Sequence, residues 1–186
     1  KGTFLHHEIS QVSLKCLGVD INCEGIEALN SIGIKNVKCV DLSSEIDEEV
    51  CRTKWDLVLI AEVLEHIIDP VSFLRKFLEN YKGSFNEVVI TVPNAFRRRN
   101  WHLAKKGIEG INSDHKYWFS PYTLQKIGYL SGLKMTNIYY YDGYFRKERK
   151  ILSKIKHWNS IRFVKKFPFF SDGLIGVFSA QGGVFP

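Results

Sequence analysis

The chain has 186 residues, of which 45% are hydrophobic and 25% are charged, a composition typical of one soluble globular domain. No uninterrupted apolar run approaches the roughly 20 residues that a membrane-spanning helix needs, which excludes an integral membrane protein. The net charge of +6 and the isoelectric point near 9.1 favour an anionic partner, such as nucleic acid, anionic lipid or a phosphorylated substrate.

The first part of the chain predicts helices and strands in alternation. Apolar residues recur at helical spacing over residues 5–15, which predicts a helix there. The text "KCLGVDI" predicts a short strand that ends near Asp20, and "NVKCVDLS" predicts a second strand that ends at Asp41. Between them, "CEGIEALNSIG" predicts a helix that stops at Gly33, a residue suited to the turn after a helix.

The second part of the chain continues the alternation. The text "WDLVLIAE" predicts a third strand, whose continuous apolar character is typical of a parallel strand covered on both faces. A helix is predicted from Asp69 and Pro70 onwards, and "FNEVVITVPN" predicts a fourth strand. The text "SPYTLQKIGYLSG" predicts a further helix, with Ser120 as its N-cap and Gly132 just past its end. The texts "KMTNIYYYDGY" and "GLIGVFSAQG" predict an antiparallel pair of strands at the sheet edge.

This order of elements predicts an α/β fold: a mostly parallel, Rossmann-like sheet with helices on both faces and an antiparallel strand at its C-terminal edge. We expect one domain over residues 1–186, with a basic lid insertion at about 95–118 and a basic amphipathic segment at about 145–170. Sheets of this kind bind ligands at the carboxyl ends of their strands. Four polar residues fall at such ends and are expected to converge there: Asp20, Asp41, Glu62 and Asn94.

The texts "LGVDI", "VDLS", "WDLVLIAEVLEHIIDPVSFLRKF", "EVVITVPN" and "HKYWFSPYTL" resemble class I S-adenosylmethionine-dependent methyltransferases of the E-V-L-E-H type, similar to the type 11, 12 and 23 methyltransferase domains. The resemblance covers nearly the whole chain and implies S-adenosylmethionine as cofactor. In that family the first strand-end acid binds the ribose hydroxyls and the second faces the adenine amino group. The resemblance therefore implies a cofactor site formed by Asp20, Ile21, Asp41, Leu42 and Glu62.

One family feature has no counterpart in this sequence. The glycine-rich turn in the style of D-x-G-C-G-x-G is missing before residue 15, and Lys1 follows the place where that turn belongs. A sheet without its central strand has two unpaired edges, which is costly. We therefore expect the natural chain to begin upstream. The alternative is a degenerate family member that no longer binds the cofactor.

The segment "EVLEH" and a later histidine predict the acceptor side of the site. If this segment is helical, Glu62, Glu65 and His66 share one face. The segment resembles small-RNA 2'-O-methyltransferases, in which E-x-x-E-H and a later histidine, here His115, hold a divalent ion. The favoured interpretation has no metal: Glu65, His66 and His115 are the catalytic residues, with a histidine as the general base. The structural alternative is that Glu65 and His66 only cap the next helix, with His115 in a surface loop.

The predicted function is therefore S-adenosylmethionine-dependent O-methyl transfer to a small-molecule or sugar-like acceptor, without a favoured role for a divalent metal. A first alternative is a degenerate, non-catalytic methyltransferase-like module that binds an anionic partner. A second is an NAD-dependent dehydrogenase, which could use Asp20 on a ribose but leaves "EVLEH" without a role.

Most of the positive charge lies in the segment 145–170, where cations interleave with apolar residues as in an interfacial amphipathic helix. This pattern favours contact with a membrane surface or an anionic ligand, and nucleic acid is less favoured because no RNA-binding motif is present. The four cysteines contain no C-x-x-C pair, so they indicate neither a zinc ribbon nor a dense disulfide framework. Reduced cysteines in a cytoplasmic setting are expected, with peripheral membrane association as an alternative.

Overall fold

The computed structural model describes residues 5–142 and 161–180. The chain divides into two compact units, Lys1–Arg52 and Thr53–Pro186, and each has its own sheet. The α/β class is confirmed, because helices and strands alternate and the first four strands form parallel pairs. The single domain over the whole chain stays a prediction.

Within the described residues, the first unit contains α1 (Leu5–Val12), β1 (Gly18–Asp20), α2 (Cys23–Ser31), β2 (Val37–Cys39) and α3 (Glu48–Arg52). β1 and β2 pair in parallel, with Asp20 opposite Cys39. α2 begins where the Asn22 side chain accepts a hydrogen bond from the Gly25 amide at 2.9 Å. The predicted stop at Gly33 is confirmed, since this residue has a φ of 94° in the left-handed region.

A disulfide joins Cys23, the first residue of α2, to Cys39, the last residue of β2. The two cysteines are 16 residues apart in sequence, and the parallel pairing of β1 with β2 brings their Cα atoms to 4.9 Å. Sequence spacing contains no information about this register, so the expectation of reduced cysteines is wrong for this pair. Cys16 and Cys51 are not disulfide-bonded.

The second unit contains β3 (Trp55–Ala61), α4 (Pro70–Asn80), β4 (Phe85–Pro93), α5 (Arg98–Ala104), α6 (Pro121–Leu130), β5 (Leu133–Tyr141) and β6 (Gly173–Ala180). Short 3₁₀ helices lie at Leu64–His66 and Pro168–Phe170. The strand order in its sheet is β3, β4, β6, β5, and β3 is parallel to β4. Because β6 pairs antiparallel with both β4 and β5, the predicted antiparallel pair at the sheet edge is confirmed.

The start and the end of α6 follow from local sequence, as predicted. The Ser120 hydroxyl accepts a hydrogen bond from the Thr123 amide at 3.1 Å, and the Thr123 hydroxyl accepts one from the Ser120 amide at 2.7 Å. Gly132 follows the helix with a φ of 97°. Gly128 allows α6 to approach the sheet closely, because a Cβ atom there would lie 2.3 Å from the Phe178 ring.

β3 lies at the edge of its sheet, since within the described residues it pairs only with β4. Leu57 is 46% exposed, so among the described residues this strand is not covered on both faces along its length. The core of this unit lies further into the sheet, where Val88, Ile90 and Leu174 of β4 and β6 are fully buried. Apolar composition alone does not distinguish an edge strand from a central one.

Most of the basic amphipathic segment lies outside the described residues. Residues 161–166 are helical and lead into Pro168–Phe170, and the interfacial-helix prediction for the rest of the segment, residues 145–160, lies outside the described residues. Across 5–142 and 161–180, no helix is both long enough and apolar enough to cross a membrane.

Candidate functional site

In the first unit, Asp20, the predicted ribose-binding residue, is the last residue of β1, and Ile21 follows it. One carboxylate oxygen of Asp20 accepts a hydrogen bond from the Asn22 amide at 2.8 Å, which fixes the side chain at the turn into α2. Its other oxygen has no partner among the described residues, and both Asp20 and the 74% exposed Ile21 are open to solvent. An exposed carboxylate held at one oxygen can accept further hydrogen bonds from a ligand's hydroxyls.

Asp41, the predicted adenine-binding residue, follows β2 and is engaged in a local turn. Its Oδ1 accepts hydrogen bonds from the Ser43 amide at 2.9 Å and the Ser43 hydroxyl at 2.6 Å, and its Oδ2 accepts one from the Ser44 hydroxyl at 2.9 Å. The Ser43 bonds hold the pKa of Asp41 below its ordinary value, so the carboxylate stays ionised. Cofactor contact by Asp41 and the neighbouring Leu42 stays a prediction.

In the second unit, Glu62 follows β3 in an unusual backbone conformation. Its φ is 53°, the left-handed region that side-chain-bearing residues rarely adopt. The expectation that Glu62, Glu65 and His66 share one helical face is therefore wrong: Glu62 belongs to the strand end, and the helical turn begins only at Leu64. Glu62, with its left-handed backbone, separates the end of β3 from the 3₁₀ helix, so its side chain does not project from the same helical turn as Glu65 and His66.

Two hydroxyl groups hold the Glu62 carboxylate. Its Oε1 accepts hydrogen bonds from the Tyr141 hydroxyl at 2.6 Å and the Thr91 hydroxyl at 3.0 Å. The Tyr141 ring lies against Gly173, where a Cβ atom would be only 2.2 Å from the ring. Burial and the Glu62 carboxylate both raise the pKa of Tyr141, which therefore remains a donor.

Sequence reasoning missed Tyr141 and Thr91. Strand alternation places Tyr139 and Tyr141 of "YYY" on one face of β5, but it does not indicate which partner that face meets. Only the antiparallel register, which pairs Tyr141 with Gly173, brings the hydroxyl to the end of β3.

Glu65, His66 and His115 form one cluster, as the sequence predicted for this set. One ligand-type atom from each residue lies within 4.8 Å of the other two. The rings of His66 and His115 meet edge to face with centroids 4.7 Å apart, and His66 Nε2 lies 3.9 Å from Glu65 Oε1. The Lys116 amide donates to the Glu65 carbonyl at 2.6 Å, which anchors the segment that contains His115 beside the 3₁₀ turn.

Glu65 is a carboxyl group almost without solvent contact. It is 1% exposed, and its Oε2 is buried without a hydrogen-bond partner. Burial, together with the charge of Glu62, raises the pKa of Glu65 to about 7. Near neutral pH this carboxyl can therefore hold or release a proton, which neither capping a helix nor filling a core requires.

The two imidazoles differ in their surroundings. His66 Nδ1 lies 3.3 Å from the Asp114 carbonyl, which can only accept a hydrogen bond, so in the neutral ring Nδ1 carries the proton and Nε2 the lone pair. His115 Nδ1 is buried and has no partner. Burial and the nearby His66 lower the pKa of His115, which therefore stays neutral at pH 7.

Asn94 departs from its prediction. Its side chain is fully buried, its Nδ2 donates to the carbonyls of Phe169 at 2.8 Å and Ser171 at 2.9 Å, and its Oδ1 accepts from the Phe96 amide at 3.0 Å. The expectation that Asn94 faces a ligand is wrong, because these internal bonds use its amide. Its position after β4 holds two loops together.

The arrangement offers a proton-accepting nitrogen, a neutral imidazole and a carboxyl that titrates near pH 7 around one point. Such a set can take a proton from a hydroxyl group, and its oxygen and nitrogen atoms could also coordinate a divalent cation. Glu62 stands beside the set, and its charge acts on both Glu65 and His115. The lid function of residues 95–118 stays a prediction.

Comparison with known proteins places the chain among methyltransferases. Residues 1–138 match the family model described as "Methyltransferase domain". No curated protein matches the sequence. Since the family model covers well over half of the chain, its match is the finding that identifies the family.

Solved structures agree at the level of the fold. A methyltransferase from Archaeoglobus fulgidus described as SAM-dependent is 18% identical, with a TM-score of 0.58 over 92% of this chain and 79% of that one. Magnesium protoporphyrin IX methyltransferase from Synechocystis, solved with bound SAH, is 13% identical, with a TM-score of 0.54 over 95% and 69%. The small RNA methyltransferase HEN1 is 16% identical, with a TM-score of 0.53 over 91% of this chain and 21% of that one.

Proposed function

This chain belongs to the class I S-adenosylmethionine-dependent methyltransferases, and from that premise we propose that it transfers a methyl group to an oxygen of a small-molecule or sugar-like acceptor. S-adenosylmethionine is the cofactor, in keeping with the SAH bound in the related folds. The observation that carries the choice of an oxygen acceptor is the cluster of Glu65, His66 and His115, because a hydroxyl must lose a proton as it accepts the methyl group.

The reaction requires little of the protein besides position and a base. The acceptor oxygen forms a bond to the methyl carbon as the bond from that carbon to the sulfonium sulfur breaks, and the hydroxyl proton passes to the base. We assign the base to His66, because its side chain is accessible and in the neutral ring the contact of Nδ1 with the Asp114 carbonyl leaves the lone pair on Nε2. His115 packs edge to face against His66, and Glu65, whose Oε1 lies 3.9 Å from His66 Nε2, supports the charge that develops on His66.

A cation-assisted version of the same reaction is the second candidate. One ligand-type atom each from Glu65, His66 and His115 lies within 4.8 Å of the other two, and Glu65 and His115 each have a buried side-chain atom without a hydrogen-bond partner. These residues fit a divalent ion, which when bound would lower the pKa of the acceptor hydroxyl. Whether chelation abolishes transfer separates this candidate from the base-only reaction.

Cofactor binding is tested first and separately from transfer. Calorimetric titration with S-adenosylmethionine and S-adenosylhomocysteine should show binding, and Asp20→Ala should weaken it about tenfold or more, because one vicinal diol loses its carboxylate acceptor. Unchanged affinity in Asp20→Ala would remove that residue from the cofactor site. Absence of binding by the unmodified chain would favour the non-catalytic module.

Transfer is then assayed against a panel of hydroxylated acceptors, with and without magnesium or a chelator. The matched pair is His66→Gln and His102→Gln, since His102 lies on α5 outside the cluster. Loss of transfer in His66→Gln by about a hundredfold, with intact cofactor affinity and an unaffected His102→Gln, is the expected result. Equal activity of both variants would refute the assignment of the base.

A further inference from the structure

The second unit has a cluster of aromatic side chains on its surface, none of which belongs to the residues assigned to methyl transfer. The aromatic cluster consists of Phe96, Tyr140, Phe163, Phe167, Phe169 and Phe170. Phe96 and Phe169 stack with centroids 4.9 Å apart, and Phe163 contacts Phe167 at 5.1 Å. The contacts connect the start of the basic insertion with residues 161–170.

Half of the cluster faces solvent. Phe96 is 47% exposed, Phe167 is 43% exposed and Phe169 is 41% exposed. Single exposed apolar side chains are common, but a contiguous exposed aromatic patch marks an interaction surface. A partner that removes these rings from water would therefore be favoured by the hydrophobic effect.

The cluster is held in place by hydrogen bonds beneath it. The Asn94 side chain binds the carbonyls of Phe169 and Ser171 and the amide of Phe96. Because Asn94 is fully buried, its bonds fix both loops that present the rings. The surface is thus formed before any partner arrives, which lowers the entropic cost of binding.

Cations surround the rings. The Arg98 guanidinium lies 4.9 Å from the centroid of Phe163, and Lys166 Nζ lies 5.4 Å from that of Phe167. Residues 95–106 and 161–170 contain no acidic residue, and Arg99, Arg162 and Lys165 of these ranges are exposed.

We propose that the aromatic cluster and its cations bind the surface of an anionic lipid bilayer. Aromatic rings favour the boundary between headgroups and acyl chains, and lysine or arginine beside them attracts anionic headgroups. Nucleic acid fits less well. The Phe96 and Phe169 rings stack on each other, whereas proteins that bind single strands offer aromatic rings on which bases stack. A second copy of the chain would bring like charges together.

This surface is independent of methyl transfer, so it is tested by binding alone. The chain is mixed with vesicles of phosphatidylcholine, and with vesicles that also contain phosphatidylglycerol, and bound protein is measured by flotation at low and high salt. We expect binding only to the anionic vesicles, with a decrease at high salt because headgroup attraction is screened. Equal binding to both kinds of vesicle, or to neither, would overturn the proposal.

Paired variants distinguish binding through the aromatic cluster from nonspecific adsorption to vesicles. Phe167→Ser with Phe169→Ser, and separately Lys165→Glu with Lys166→Glu, should each weaken vesicle binding about tenfold. Tyr122→Ser is the matched control, since Tyr122 is 70% exposed on α6 outside the cluster, and it should bind as the unmodified chain does.

Thermal unfolding and S-adenosylmethionine titration of the same samples should be unchanged, which shows that the variants fold and keeps the result independent of the proposed reaction. Loss of vesicle binding in Tyr122→Ser to the same extent would overturn the proposal. Capture of an oligonucleotide duplex in place of vesicles, with the same dependence on Phe167 and Phe169, would assign the surface to nucleic acid instead.

Discussion

Replacing Glu65 by glutamine should make the protein more stable at alkaline pH. The ordinary pKa of this carboxyl is 4.5, and burial raises it to about 7, so the folded protein binds the proton more tightly than the unfolded chain. The unmodified protein therefore loses stability as pH rises from about 4.5 to about 7, and the loss is complete above that range. At 1.36 kcal/mol for each tenfold change in proton affinity, the cost is about 3 kcal/mol.

Glutamine has nearly the same shape and does not ionise, so Glu65→Gln should avoid this cost. We expect similar free energies of unfolding for the two proteins at pH 5, and at pH 8 a variant that is more stable by about 2–3 kcal/mol. Urea unfolding at several pH values measures the difference. The control is Glu79→Gln, because Glu79 is exposed on α4 and its replacement should not change the free energy of unfolding differently at pH 5 and pH 8.

The outcome that would refute this reasoning is a difference between Glu65→Gln and the unmodified protein that does not grow from pH 5 to pH 8. Measuring the same stabilities with added magnesium tests whether the cluster binds a divalent cation. If the cluster binds a divalent cation, the ion should stabilise the unmodified protein at pH 8, where Glu65 is ionised, and should leave the glutamine variant unaffected.

Three further predictions concern other contacts. Tyr141→Phe removes the hydroxyl that donates to Glu62, and it should lower stability by about 1 kcal/mol in urea unfolding and decrease kcat. Asn94→Ala removes the donor to the buried Ser171 carbonyl and the part-buried Phe169 carbonyl and should cost about 2–3 kcal/mol, whereas a loss below about 0.5 kcal/mol would argue against its anchoring role. Reduction of the Cys23–Cys39 disulfide, which closes a loop of 16 residues, should lower the stability of the first unit by about 3 kcal/mol; identical melting with and without reductant would contradict the pairing.

Local signals were sufficient for most elements of the fold, although the short helices α3 and α5 were not predicted. The cap at Ser120 and the stop at Gly132 depend on hydrogen bonds and backbone angles within a few residues, and the structure has both as predicted. The order of strands and helices likewise limits the topology, so the α/β class with parallel early strands could be predicted. The exposure of β3 could not be predicted, because an apolar residue such as Leu57 looks the same in the sequence whether its strand lies at the edge or in the centre of a sheet.

The candidate site divides in the same way. That the acidic and imidazole groups of "EVLEH" follow a strand was visible in the sequence, and the family resemblance added His115 to the set. The left-handed Glu62 was not visible, because nothing in a glutamate requires a φ of 53°. Its conformation depends on a hydroxyl from β4 and another from β5.

The sequence by itself determined which residue types stand at the strand ends, where helices begin and end, and to which family the chain is related. Only the tertiary structure decided that Tyr141 meets Glu62, that Cys23 meets Cys39, and that Asn94 turns inward. The physical reason is the distance along the sequence over which each interaction acts. Caps and hydrophobic periodicity act within about one turn of helix or one strand, whereas these contacts depend on the register between strands that are far apart in sequence.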